Sequence, residues 1–395
     1  MCGSPVKVCA ANLWSALSLP RSMARAKTAD APVAIVGAGV VGAAVAHALA
    51  RRGVEAVVLE SEPEPGLAAS GTNSGILHTG FDSAPGDLET RLLIRSGELR
   101  DAVLDELDIP VLRCGAVMLT DRETARPIAE AAERNGIEVR VDAEGRLEVP
   151  GEAVTDPVAY TLALAATADV RTSARVESIE RREGLLDLGL ADGAHVSCRV
   201  AVNCAGLYAD EVARMAGDSS FEIYPRKGEF FVFDPPGGRP LDRILLPVPT
   251  KRTKGVLVFP TIDGKIVAGP TAHDGEDKSD WSVRPEAQGE VLSKARAMFP
   301  PLEAAEPVAA YAGLRPAGRG VNYEIGHSPA CPGLVNAAAI RSTGLSASLG
   351  IAEHVLGLVE ELGVELGADR AVHAAAPAPR EPWWLRSARH RGVAA

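Results

Sequence analysis

Three glycines at positions 37, 39 and 42 and a glutamate at 60 are the residues whose types and spacing most directly imply chemistry. They stand in APVAIVGAGVVGAAVAHALARRGVEAVVLE, residues 31 to 60: an apolar strand, a glycine turn, a helix of small residues and a second strand ending on an acid. Gly37 allows a tight turn, Gly39 lets backbone approach a pyrophosphate, and Gly42 lets the helix pack on the strand. A phosphate at that helix start meets unpaired N–H groups and the positive end of the helix dipole. Ala46, one turn on, keeps the helix close to the sheet. Glu60 falls about 20 residues after the glycines, where a carboxylate accepts hydrogen bonds from both ribose hydroxyls and repels a 2′-phosphate. The register therefore specifies an adenosine dinucleotide and leaves FAD and NAD both open.

The elements that must position such a ligand follow in order. Residues 66 to 86, GLAASGTNSGILHTGFDSAPG, are too long and too rich in polar turn formers for a plain connector, and long ordered loops usually carry function. A helix is expected over 87–107, with Leu88, Leu92, Ile94, Leu99 and Leu104 on one face, then a small α/β excursion with a helix from Arg122 to Asn135. Asp156 and Pro157 cap and start a helix through Ala168. A strand near 170–176 and a polar hairpin lead to the apolar strand of HVSCRVAVNCAGLYAD, which runs into Gly206. From Phe221 the pattern turns antiparallel, with EFFVF, VLVFPT and KIVAG, the last two joined by an Asp263-Gly264 turn. A helix from Pro285 to Met298, a strand near Val308 to Leu314, and a return to strand and helix around Gly344 complete the chain.

This alternation predicts an α/β fold with an α+β substrate domain: a Rossmann-like dinucleotide domain interrupted by an antiparallel-sheet insertion. The expected division is 31–80, 152–218 and 311–370 for the dinucleotide part, and 81–151 with 219–310 for the substrate part. Residues 1–30 are expected as a flexible extension, with Met23 as an alternative start; Arg21, Arg25 and Lys27 lie on the wrong side of an apolar patch for a secretory signal. Residues 371–395, Ala/Pro-rich and then basic with Trp383 and Trp384, are expected as a flexible tail.

At 395 residues and 46% apolar, the chain can bury a large core in two domains. A net charge of −11 argues against nucleic acid or an anionic membrane as main partner, so an anionic substrate needs a local cationic cluster. Cysteines 2, 9, 114, 198, 204 and 331 show no CxxC and no zinc spacing, which implies no metal and reduced thiols in a cytoplasmic protein. No apolar run reaches the roughly 18 residues of a bilayer span, leaving peripheral attachment as the second expectation for location.

No second GxGxxG and no redox CxxC accompany the first motif, unlike disulfide-reductase-type flavoproteins. The single motif, the loop TNSGILHTGFD (72–82), NCAG (203–206), PRKGEFFVFD (225–234), PVPTKRTKGVLVFPTIDGKIVAGPTA (247–272), AGLRP (312–316) and IRSTGLSASLGIAEHV (340–355) together resemble the D-amino-acid-oxidase-like FAD-dependent oxidoreductases. The resemblance spans roughly 32–365 and is nearest the glycerol-3-phosphate oxidase and dehydrogenase branch, with L-2-hydroxyglutarate dehydrogenases as relatives.

It implies a non-covalent FAD whose ADP half is held by Gly37, Gly39, Gly42 and Glu60, with Val176 on the adenine side and Ala205 and Gly206 on the pyrophosphate side. Thr72, Asn73, Ser74 and Gly75 would line the isoalloxazine. Gly344 and Leu345 would open a helix whose amides stabilise the anion of reduced flavin. His78, matching the histidine of an NSGxxH motif, would be the base that takes the proton of a secondary alcohol; its alternative role is purely structural. Arg315 offers a planar fork for phosphate or carboxylate, and Lys254 matches a lysine at the substrate mouth. Lys251 and Arg252 are read as an equally good solvated hairpin.

Arg341 and Thr343 depart from the usual Ser-Pro-Gly pattern: Arg341 would bind a second acidic group or pair elsewhere, and Thr343 would add a hydroxyl near the ring. Tyr311 and Phe81 are read as core before pocket wall. The implied activity is oxidation of a small anionic alcohol, best sn-glycerol 3-phosphate, then an L-2-hydroxy acid, with oxygen, a quinone or a carrier protein as electron acceptor. The reading of another class is a flavin-binding redox module without turnover.

Overall fold

The strand Ala31–Val36, apolar and buried from Val33 onward, runs parallel to Ala56–Leu59 on one side and to His195–Asn203 on the other. Those three are the middle of an eight-stranded sheet. Asp169–Arg171 extends it in parallel beyond Ala56–Leu59. Beyond His195–Asn203 lie the hairpin Val176–Arg182 with Leu185–Leu190 and the pair Glu324–His327 with Leu334–Ala338. This computed structural model describes residues 29–250, 254–375, 379 and 381–394, so the expected extension up to residue 28 and its Met23, and Lys251 and Arg252, lie outside the described residues.

The helix Val40–Arg51 is small-residued nearly all round because it is buried nearly all round, sharing a core with Gly344–Glu361 and the sheet. Leu88–Glu106 packs on the far side of Gly344–Glu361. Its buried stripe includes the expected Leu92 and Leu104 and continues through Leu93, Ser96, Arg100 and Val103; the expected Leu88 and Leu99 pack half-buried against the same core, Ile94 is half-buried, and an arginine turns inward beside them. Asp156 caps Pro157–Ala165 by accepting from the N–H groups of Val158 and Ala159.

A ten-stranded sheet forms the second layer. Its spine is Ile223–Phe233 paired antiparallel with Ala309–Gly318 over ten registered positions, followed by Ile266–Gly269 and Leu257–Pro260 joined at the expected Asp-Gly turn. The helix Ala287–Met298 covers one face. Residues 311–318, expected with the dinucleotide part, therefore belong to this sheet: ten ladder positions outweigh the boundary drawn from sequence. A small three-stranded sheet sets Ile76–Leu77 beside Ala153–Thr155.

The expected flexible tail is also corrected. Trp383–Arg391 is a helix, and Gly392–Ala394 adds a strand to the edge of Ala309–Gly318. The reason is aromatic burial, which the Ala/Pro composition concealed. Trp383 is buried with its ring edge-on to Tyr311 at 5.6 Å, and buried Trp384 donates from Nε1 to Asp263 Oδ2 at 2.8 Å.

Candidate active site

The glycine turn is held by excluded volume. A methyl group on Gly42 would overlap the carbonyl oxygen of Gly37, so helix and turn meet at backbone contact. Gly37 has φ +102°, and a Cβ there would lie 2.6 Å from Cys204 O; the NCAG segment with Ala205 and Gly206 thus closes on the turn from the neighbouring strand. Gly39 stands at the helix start, where Val40 N–H donates to Ser70 Oγ at 2.9 Å. Ser70 was not singled out from sequence; its only signal was membership of the glycine/serine loop.

Glu60 is buried at the end of its strand. Oε2 accepts from Ala38 N–H at 2.6 Å and Oε1 from Glu62 N–H at 2.9 Å, yet burial outweighs these bonds and raises its pKa. The carboxylate is thus fixed against the turn itself. Val176 opens the adjoining hairpin strand with its side chain packed among Val36, Leu59 and Leu188.

The segment Thr72 to Gly75 is locked by its own side chains and by the second sheet. Asn73 Oδ1 accepts from Gly75 N–H at 2.9 Å, and Thr155 N–H donates to Gly75 O at 2.8 Å. Thr72 presses on Gly313, where a Cβ would lie 2.8 Å from Thr72 O. Ser74 Oγ accepts from Ile76 N–H at 3.3 Å. The chain then reaches His78, whose N–H donates to Ser346 Oγ at 2.8 Å, while Ser346 donates to Ile76 O at 3.1 Å. Ser346 lies in the first turn of Gly344–Glu361, so the helix start carrying Gly344 and Leu345 meets the His78 strand directly.

His78 sits in a cluster of charges. Its Nδ1 lies 2.9 Å from Oε2 of Glu152, a fully buried carboxylate that also accepts from Thr79 N–H at 2.7 Å and Thr79 Oγ1 at 2.9 Å. Burial opposes ionisation of Glu152, but the His78 charge and hydrogen bond, Thr79 and Lys254 together hold its pKa below the usual range. An ionised carboxylate is acceptor only, so the Nδ1 proton is His78's and Nε2 is left as the basic nitrogen. Lys254 donates to Asp82 Oδ1 at 2.7 Å; burial opposes both charges, and the pairing overrides it, raising the lysine and lowering the aspartate. Asp82 belonged to a quoted segment, whereas Glu152, 74 residues from His78, gave no local signal.

Arg315 donates from Nη2 to Thr271 O at 2.9 Å and has no carboxylate at ion-pair distance among the described residues. Arg315 is half-buried; desolvation, with repulsion from Arg226 and against the attraction of Asp274, lowers its pKa to about 10, so it stays cationic at neutral pH. Its guanidinium lies over Gly228, where any side chain would overlap Nη2. Arg315 and Gly313 are two residues apart on one strand and share a face, the face that meets Thr72.

The remaining expectations resolve as follows. Arg341 takes the pairing alternative: Nε donates to Asn322 Oδ1 at 2.9 Å and Nη2 is 3.8 Å from Glu89. The Thr343 hydroxyl donates to Glu89 Oε1 at 2.7 Å and pairs with Tyr323 Oη at 2.8 Å. Phe81 and Tyr311 are core, Tyr311 stacked on Phe230 at 5.0 Å. An open cleft of about 840 Å³, lined by Ala46, Ala50, Gly53, Arg171 and Arg370, shares no residue with these groups.

A parallel-stranded core with a glycine turn at a helix start, abutting an antiparallel sheet that carries the half-buried Arg315, with the half-buried His78 following a strand of the small third sheet, has the layout of a dinucleotide-dependent oxidoreductase. A family model described as DAO, FAD dependent oxidoreductase, matches residues 32–358, and the chain belongs to that family. It is similar to the glycerol 3-phosphate dehydrogenase of Caloramator mitchellensis, 28% identical over 362 residues that cover 85% of this chain and 75% of that one. The glycerol 3-phosphate oxidase of Mycoplasma pneumoniae is 26% identical, covering 83% and 94%. Among solved structures, the dithionite-reduced L-α-glycerophosphate oxidase from Mycoplasma pneumoniae with FAD bound superposes with a TM-score of 0.79 at 24% identity, covering 86% of this chain and 96% of that one. The chain is accordingly an FAD-dependent oxidoreductase. The residues present fit that cofactor: the helix start at Gly39, the buried Glu60 carboxylate and the turn-locked Thr72 to Gly75 segment. Among the described residues no helix is long and apolar enough to cross a membrane.

Proposed function

We propose that this enzyme oxidises sn-glycerol 3-phosphate at its secondary alcohol, giving dihydroxyacetone phosphate. The observation that carries the reading is Arg315, a half-buried guanidinium held by one carbonyl and with no carboxylate at ion-pair distance among the described residues, on the strand face that meets the Thr72 segment. A cation so desolvated is stabilised by an anionic ligand, and its planar fork matches phosphate. The names of the two similar curated proteins support the same substrate.

FAD, when bound, supplies the acceptor for the hydride leaving carbon. Gly37, Gly39, Gly42, Glu60, Ala205 and Gly206 hold its dinucleotide part, Val176 its adenine side, and Thr72 to Gly75 with Gly344 and Leu345 its ring. His78 takes the hydroxyl proton at Nε2, Arg315 holds the phosphate, and Lys254 stands at the substrate mouth. The electron acceptor is a small molecule or carrier outside the chain. The four described free cysteines, with the buried Cys198 and Cys204 thiols pushed up to about 12, suit a cytoplasmic protein.

The test is an anaerobic panel of glycerol 3-phosphate, 2-hydroxyglutarate, lactate and glycine, followed at the oxidised-flavin absorbance. Bleaching by glycerol 3-phosphate at the lowest concentration supports the proposal. Bleaching by 2-hydroxyglutarate or glycine in its place overturns the substrate, and no bleaching by any overturns the activity.

A further inference from the structure

We infer that His78, Glu152, Asp82 and Lys254 act as one proton-accepting unit, with Glu152 the positioning residue that fixes the His78 tautomer and Asp82–Lys254 a balancing pair. The inference rests on the proposed reading of His78 as the base and deepens it.

Geometry comes first. Glu152 has both oxygens committed, Oε2 to His78 Nδ1 and Oε1 to the amide and hydroxyl of Thr79, so the carboxylate cannot swing away without leaving three hydrogen bonds unmade in a fully buried site. No protein group among the described residues bonds His78 Nε2. The ring is therefore held by one edge and open at the other.

Charge comes second. The unit contains two carboxylates and one ammonium, so it carries one net negative charge while His78 is neutral and none once His78 is protonated. The charged groups facing the unit from the packed elements leave this deficit unchanged: Arg100, on Leu88–Glu106, donates to His78 O at 3.0 Å and Leu77 O at 3.3 Å, and Glu89 on the same helix faces Lys254. Arg341, 3.8 Å from Glu89, is exposed. Asp82 is influenced by His78 as well as by Lys254, and Glu152 by Lys254 as well as by His78, so the two pairs share one field. In the step itself, the substrate O–H bond breaks, an N–H bond forms at Nε2, imidazole becomes imidazolium, and the unit passes from one negative charge to none. A buried site gains most from neutralising a lone excess charge. The proton then leaves to solvent, restoring the neutral ring.

The sign of each perturbation follows. Glu152→Gln and Asp82→Asn remove negative charge and make His78 harder to protonate; Lys254→Met removes positive charge and makes it easier. The experiment labels histidine with ¹⁵N in the FAD-loaded holoenzyme, assigns His78 by its loss in His78→Gln, and titrates it by NMR. The His78 titration should move down by about 1–3 pH units in Glu152→Gln, less far down in Asp82→Asn, and up in Lys254→Met. The neutral Nδ1–H tautomer should give way in Glu152→Gln and be retained in Glu152→Asp. Anaerobic flavin reduction by glycerol 3-phosphate should slow on the order of 10²-fold in Glu152→Gln, its acid limb moving the same way as the NMR titration. Asp82→Asn keeps the test open should Glu152→Gln fail to fold. Shifts of one sign for carboxylate and lysine variants alike, or no shift at all, overturn the inference. NMR shifts as expected with no reduction by any substrate overturn the proposed activity and leave the unit standing, while normal reduction without a limb shift overturns the unit and leaves the activity.

Discussion

The glycine turn and the His78 cluster are built by opposite means. At the turn, position is set by volume: backbone meets backbone where Gly42 faces Gly37, and the 37–42 segment acquires its shape from its own residues. At the cluster, position is set by charge carried from three segments, His78 and Asp82 on one, Glu152 on a second and Lys254 on a third, and no single segment has a reason to be where it is without the others. The first arrangement tolerates almost no change of size and the second almost no change of charge.

That contrast predicts the largest effect at Gly42. Gly42→Val places three carbons where Gly37 O stands, in rigid backbone that cannot yield, and should leave no folded FAD-binding protein in the soluble fraction. Gly39→Val differs, because its Cβ would meet only the Ser70 hydroxyl at 3.2 Å; it should fold and elute without FAD. Circular dichroism and flavin content of the two variants separate a packing glycine from a ligand-facing one, and equal behaviour would end the distinction.

On the charge side the largest effect belongs to His78. His78→Ala removes the proposed proton acceptor and leaves the proposed cofactor residues untouched, so FAD should bind normally while anaerobic flavin reduction slows by roughly 10²–10⁴-fold. The dependence of that rate on acidification should vanish with it. A normal rate with an unaltered pH profile would make His78 a structural partner of Glu152 only.

The same contrast explains what could be read from sequence. The glycine register, the Asp156 cap, the Asp-Gly hairpin and the helix after Gly344 are local, each readable within a few residues of itself. Glu152 was invisible because a buried carboxylate is defined by a partner 74 residues away. The Trp383 helix was misread for a related reason: Ala and Pro around it carry the composition of a linker, and only its seat against Tyr311 gives the tryptophans somewhere to go. His78 and Arg315 came through the resemblance of their segments, and their surroundings emerged only from the fold.

His47 tests the contrast from inside the volume-built half. It lies on Val40–Arg51, 2% exposed, with neither ring nitrogen hydrogen-bonded, and burial, reinforced by Arg51 and only partly offset by Glu106 and Asp369, lowers its pKa from 6.5 to about 4. As pH falls, the unfolded chain takes up this proton near 6.5 and the native protein only near 4. The stability present above the upper value is therefore lost progressively as pH falls through that window, by about 3 kcal/mol in all. His47→Leu should remove that part of the acid sensitivity, seen as a smaller drop in urea midpoint between about pH 7 and pH 4 than in the parent. An identical drop would mean that His47 finds a partner when protonated.

The smallest effect is expected where the two devices meet, at Gly228. There a glycine serves a charge, since the Arg315 guanidinium occupies the space of its missing side chain. Arg315→Lys keeps the charge and loses the fork; with about 1.5–3 kcal/mol of charge-assisted bonding at stake, KM for glycerol 3-phosphate should rise on the order of tenfold or more, and kcat should fall less. Gly228→Ala leaves the arginine in the sequence and evicts it from its seat. The obstacle on one side is the end of a flexible side chain, which can swing aside, and on the other Pro270 Cβ at 2.9 Å, which must give slightly; the strand should survive with a modest loss of stability. KM should then rise in Gly228→Ala by no more than in Arg315→Ala, and the double variant should be no worse than Arg315→Ala alone, because the glycine acts only through the arginine. Additive losses in the double variant would show that Gly228 serves the strand pairing in its own right and that volume and charge are independent on this sheet.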